Sequence, residues 1–126
     1  MKIILCNSVD FVLLDEVESI NEENIPVLKS GKYWKEIRNV EKPVYQSNVK
    51  QNDAGAINEE TVSVSIQSYH HNIIKFLIEY IGFHAILRMK TNDRIFYVGN
   101  LDYPCSIEYT SDKELYNYSF KAISPA

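Results

Sequence analysis

A change of period near Tyr69 constrains this chain more than any other feature. Residues Thr61-Val62-Ser63-Val64-Ser65-Ile66-Gln67 alternate polar and apolar. Val62, Val64 and Ile66 therefore share one face of an extended strand, with hydroxyls or an amide on the other. Beyond it the spacing changes: Ile73, Phe76, Leu77, Tyr80 and Ile81 fall at i, i+3, i+4, i+7 and i+8, and Ile74 and Ile78 widen that stripe. Gly82 stands where a helix C-terminus favours a residue free to take positive φ. The spacing predicts one amphipathic helix over about 70–82, whose apolar stripe has to be covered by a sheet.

Four strand signals follow. Ala85 to Lys90 and Arg94 to Gly99 flank Thr91-Asn92-Asp93, and Cys105 to Thr110 and Leu115 to Ala122 flank Ser111-Asp112-Lys113-Glu114. Both connections are of hairpin length. In the second hairpin, Cys105, Ile107 and Tyr109 on one strand can oppose Tyr116, Tyr118 and Phe120 on the other. The predicted class is α+β: a mainly antiparallel β-sandwich or partly closed barrel with the helix packed on it, ending in a four-stranded meander.

The first half is less periodic. Ile3 to Leu5 and Phe11 to Leu14 suit short buried strands, and the acidic segment Asp15, Glu16, Glu18, Glu22 and Glu23 reads as a solvated loop. Tyr33 to Arg38 can pair as a strand. From Pro43 a polar extended stretch runs through Val44, Tyr45 and Val49, and Asn52-Asp53-Ala54-Gly55 has turn chemistry. Little from Gln46 to Glu60 can be buried, so the stretch at about 43–60 is expected to be a polar loop, or an arm ordered against a partner. At 126 residues, the chain is expected to form a single domain.

Net charge is −4, and the acidic excess is confined to residues 1–60, which hold eleven Asp or Glu and seven Lys or Arg. Nucleic-acid binding would call for a basic stripe, because neutralising phosphates releases counterions, and none is visible. Cys6 and Cys105 lack metal-knuckle or redox spacing and read as reduced and buried, with a disulfide between the chain's ends as the alternative. The apolar run Ile3 to Cys6 is too short for a signal peptide or a membrane span, so a cytoplasmic protein without membrane contact is expected.

Catalytic and metal chemistry finds no local motif. His70 and His71 would lie roughly 20 Å along a helix from His84, and adjacent histidines on a helix point about 100° apart. No nucleophile elbow exists, and the four glycines are too scattered for a phosphate cradle. The expectation is a non-enzymatic chain with no cofactor and no metal. Among the aromatics, Tyr109, Tyr118 and Phe120 read as core. Tyr33, Trp34 and Tyr45 stand beside the polar stretch and are open to either core or interface roles. With Val49, these three are the candidate interface residues.

Residues Thr61 to Ser68, His70 to Gly82, Arg94-Ile95-Phe96-Tyr97-Val98-Gly99, Cys105 to Tyr109 and Tyr116 to Ala122 are arranged in a way that resembles small structural proteins of tailed bacteriophages and prophages. The resemblance implies a tail or head-to-tail joint subunit that associates with itself and with neighbouring structural proteins, carries no cofactor, and resides in the virion. It also gives the acidic first half a role, since acidic tube lumens repel passing DNA. The long apolar hairpin such proteins carry before the equivalent of Thr61 is replaced here by Val44 to Glu60. A small intracellular domain that binds a peptide or small molecule is the alternative expectation.

Overall fold

The computed structural model describes residues 1–37, 41–53, 55–67, 82–111 and 115–125. The helix expected over about 70–82 lies outside these residues except for Gly82, and so do His70 and His71. The described residues form β1 (Lys2–Leu5), β2 (Ser8–Leu13), a 3-10 turn (Leu14–Glu16), β3 (Val17–Ile20), β4 (Pro26–Leu28), β5 (Lys35–Ile37), β6 (Val44–Asn52), β7 (Gly55–Gln67), β8 (His84–Lys90), β9 (Ile95–Val98), β10 (Cys105–Ser111) and β11 (Leu115–Pro125).

The fold is mainly antiparallel β. One large sheet runs in the order β1-β6-β7-β11-β10-β8-β2-β5, with β9 also paired to β8, and β3 pairs with β4 as a separate hairpin. The alternating segment is the middle of a longer strand, β7, which is held by β6 on one edge and β11 on the other. Val62 pairs with Phe120 and Val64 with Tyr118, so the two apolar ladders meet side by side.

Near Cys6 the chain changes partner. The Cys6 N–H donates to the Pro43 carbonyl at 2.9 Å, continuing the β1–β6 pairing, and the next residue, Asn7, donates to Lys90 at 2.7 Å, opening the β2–β8 pairing. β1 and β2 therefore join two distant points of the sheet path, and the sheet curls until both regions border one core. The Tyr45 ring on β6 meets Phe96 on β9 edge-on at 5.0 Å between centroids. The main core takes Val9 and Phe11, Val62 and Val64, Ala85, Leu87 and Met89, Cys105 and Ile107, and Tyr118 and Phe120.

β8 is buried on both faces over its apolar run Ala85–Leu87: Ile86 points away from the main core into a second cluster with Val12 and Val17. The 3-10 turn and the β3–β4 hairpin cover that side.

Three expectations change. The acidic segment from Asp15 is the 3-10 turn and the β3–β4 hairpin rather than a loop. Asn21 shapes that hairpin's bend, its Oδ1 accepting the N–H groups of Glu23 at 2.9 Å and Ile25 at 3.0 Å. Residues 43–60 form the β6–β7 hairpin, in which Asn52 pairs with Gly55; backbone pairing on both edges of β7 supplies what apolar side chains do not. The last four strands are not a simple meander, because β10 pairs with β8 rather than with β9. The Asn100 carboxamide oxygen accepts the N–H groups of Asp102 and Tyr103 and turns the chain back.

Candidate interaction surfaces

The four interface candidates are separated by the fold. Tyr33 and Trp34 precede β5 at one end of the sheet path, and Tyr45 and Val49 lie on β6 near the other. Tyr33 is 68 % exposed and Val49 is 65 % exposed. Trp34 packs against the second cluster, with its ring 5.8 Å from Tyr97 and the Arg88 guanidinium 4.9 Å over it.

Tyr45 requires a correction. It is 8 % exposed and belongs to the main core. Strand parity explains this: Tyr45 sits opposite Val62, so it shares the inward face, which a polar flanking sequence does not reveal.

The surface signal that sequence reading missed is β1. Its partner is β6, and its other edge has no strand partner among the described residues. Ile4 turns toward the core, which leaves Ile3 at 58 % and Leu5 at 64 % exposure pointing outward. Beyond Ser47, where the β1 pairing stops, β6 continues to Asn52 with that same edge unpaired among the described residues. Natural edges are usually blunted by charge, proline or bulges. The β1 part of this edge carries Lys2 and otherwise apolar residues, while the β6 part is polar apart from Val49.

A cleft of about 640 Å³ opens between the β3–β4 hairpin and β9. Ile20 and Ile25 form one wall, Ile95, Phe96 and Tyr97 the other, and Glu60 reaches it from β7. Glu60 has the same strand parity as Val62 and Val64, so it is an inward-facing carboxylate at the end of the apolar core. The Tyr45 hydroxyl donates to its Oε2 at 2.6 Å. Burial, that hydrogen bond and the Glu60 charge push the Tyr45 hydroxyl up to about 12. Burial, with a smaller contribution from Glu60, also pushes the Cys105 thiol up to about 12. Reading the alternation two residues further back from Val62 would have placed Glu60 on the inner face.

Glu60 is half-buried, whereas two other carboxylates, Asp10 and Glu16, are buried. Asp10 holds Arg88, with Lys90 Nζ 3.7 Å away. Glu16 accepts from Lys35 Nζ at 2.8 Å and from the Leu13 N–H at 3.0 Å. Burial raises the Glu16 carboxyl, but those bonds and the charges of Lys35 and Lys32 outweigh it and leave the group below its usual range.

Cys6 and Cys105 are both free thiols in the main core. A buried thiol held in its neutral form is a poor nucleophile. His84 is exposed. Among the described residues, no three His, Cys, Asp or Glu side chains gather to hold a metal ion, and no helix is long and apolar enough to cross a membrane.

Comparison with protein-family models finds no match. Comparisons with curated proteins and with solved structures likewise return none.

Proposed function

We propose that this chain is a non-enzymatic structural subunit of a tailed phage or prophage, of the tail or head-to-tail joint, that works by pairing its exposed sheet edge with copies of itself or with neighbouring structural proteins. The single observation that carries the assembly reading is the open edge of β1 with Ile3 and Leu5 turned outward. A strand edge that offers both unpaired backbone groups and apolar side chains is a template for another strand. The phage context rests on the arrangement of residues 61–126. In this reading the curled sheet is a partly closed barrel, the segment over about 70–82 is the amphipathic helix packed on it, and the subunit is made in the cytoplasm and ends in the virion.

Light scattering across a concentration range, joined to negative-stain imaging, tests the proposal. The expected result is a mass that rises with concentration, with rings or tubes in the images. An Ile3→Lys, Leu5→Lys double variant should stay monomeric and keep the thermal midpoint of the dilute wild-type chain, since both side chains point to solvent. A wild-type chain that remains a monomer at every concentration overturns self-assembly.

A further inference from the structure

The cleft beside β9 has a geometry and a charge that together specify a guest. β9 pairs with β8 along one edge, and its other edge has no strand partner among the described residues. Consecutive residues of a strand point to opposite faces. Ile95, Phe96 and Tyr97 nevertheless all line the cleft. A cavity that touches both parities of one strand runs along that strand's edge, where the free backbone donors and acceptors lie. The cleft is therefore bounded by a template for one more strand.

Its charge is one-sided. Glu60 and Glu23 line it, and none of the residues lining it is Lys or Arg. Glu60 has the Tyr45 hydroxyl as its hydrogen-bond partner, and no cation forms an ion pair with it among the described residues. This half-buried carboxylate beside apolar walls, with one oxygen taken by a neutral hydroxyl and no ion pair among the described residues, has acceptor capacity left for a charged donor. The walls suit the stem of a long basic side chain, since Ile20, Ile25 and Ile95 offer apolar surface.

We propose that this cleft binds an extended peptide segment of a partner protein, which adds as a strand to the open edge of β9 and directs an arginine side chain at Glu60. Main-chain pairing supplies the affinity of such a contact and the side-chain pocket supplies its selectivity. The planar guanidinium is favoured over an ammonium because it stacks on aromatic rings while it hydrogen-bonds a carboxylate. This contact is separate from the β1 edge, so either can fail without the other.

The test is an NMR titration of the full chain with the capped peptide Ac-Thr-Val-Arg-Val-Thr-NH2 and with the same peptide carrying citrulline, the neutral isostere of arginine. The Arg peptide is expected to shift the amide signals of residues 95–98 and of Glu60. It should bind about three- to tenfold more tightly than the citrulline peptide, the range of a part-exposed charge-assisted contact. Glu60→Gln keeps an acceptor for the Tyr45 hydroxyl, so the fold is retained, and it should abolish the difference between the two peptides. The proposal is overturned if the two peptides bind the wild-type chain equally, if the shifts map away from β9, or if millimolar Arg peptide produces none.

Discussion

Arg88 donates twice to one oxygen of Asp10, from Nε at 3.0 Å and from Nη2 at 2.8 Å. The pair crosses from β2 to β8, where Asp10 and Arg88 are register partners, and the guanidinium also lies over Trp34. One contact thus ties the inner strands to the segment that leads into β5. Asp10 is buried and Arg88 is half-buried, so removing one member strands a charge in a poorly solvated place. Arg88→Met is expected to lower stability by about 2–4 kcal/mol. In a urea-denaturation cycle with Asp10→Asn, the double variant should lose at least about 1 kcal/mol less than the sum of the single variants. Additive losses would mean that the pair contributes no coupling.

The core should be labile to alkali. The Tyr45 hydroxyl and the Cys105 thiol are each pushed up to about 12, from ordinary values of 10.0 and 9.0. A group whose folded value is raised holds its proton better in the folded chain. Its stabilising contribution is complete below the unfolded value and is lost as pH rises through the folded one. Urea midpoints should therefore fall between about pH 9 and 12, and the fall should be shallower in Cys105→Ala and in Tyr45→Phe. Absorbance titration of Glu60→Gln should bring Tyr45 down toward its ordinary value, because a charge that disfavours the phenolate has gone.

At the acid end the sign is opposite. The Glu16 carboxyl is held below its usual range, so its contribution is present above the ordinary Glu value of about 4.3 and is lost as pH falls below it. Glu16→Gln should be less stable than wild type at neutral pH and should show a flatter stability profile below about pH 4.3. Parallel profiles for the two proteins would rule out this role for Glu16.

Two glycines with positive φ should respond unequally to alanine. Gly55 has φ of 116° with open space where a Cβ would go, and its replacement carries backbone strain of about 1–2 kcal/mol. Gly99 has φ of 87°, and a Cβ there would stand 3.1 Å from Cys105 Sγ and 3.2 Å from the Cys105 nitrogen. Gly99→Ala should cost about 1–2 kcal/mol more than Gly55→Ala, because Cys105 is buried and the backbone atom has little room to move. Thermal unfolding of the two variants side by side measures the difference.

Much of the second half was legible because its information is local. The β8–β9 and β10–β11 hairpins each join strands close in sequence, and the alternation in β7 and β11 assigns Val62, Val64, Tyr118 and Phe120 to one face without reference to distant residues. The first half was harder, since its strands find partners far along the chain. The acidic run from Asp15 to Glu23 has a loop's composition, yet Asn21 bends it into a hairpin and Lys35 makes a buried Glu16 tolerable. The apolar residues Ile3 to Leu5 predict a buried strand, yet Ile3 and Leu5 are exposed. Which of its residues face water follows from Ile4 turning inward, and that depends on the pairing with β6.

From Thr61 to Gln67 and from Ala85 onward, the sequence by itself determined where the described chain extends and which side chains share a face, because the pleat repeats every two residues and the apolar pattern repeats with it. Only the tertiary structure decided which strands lie side by side. It placed β10 against β8, put Tyr45 inside with Glu60, and joined Asp10 to Arg88 across 78 residues. Those choices depend on how well distant surfaces cover one another when the sheet curls, and no local period encodes that.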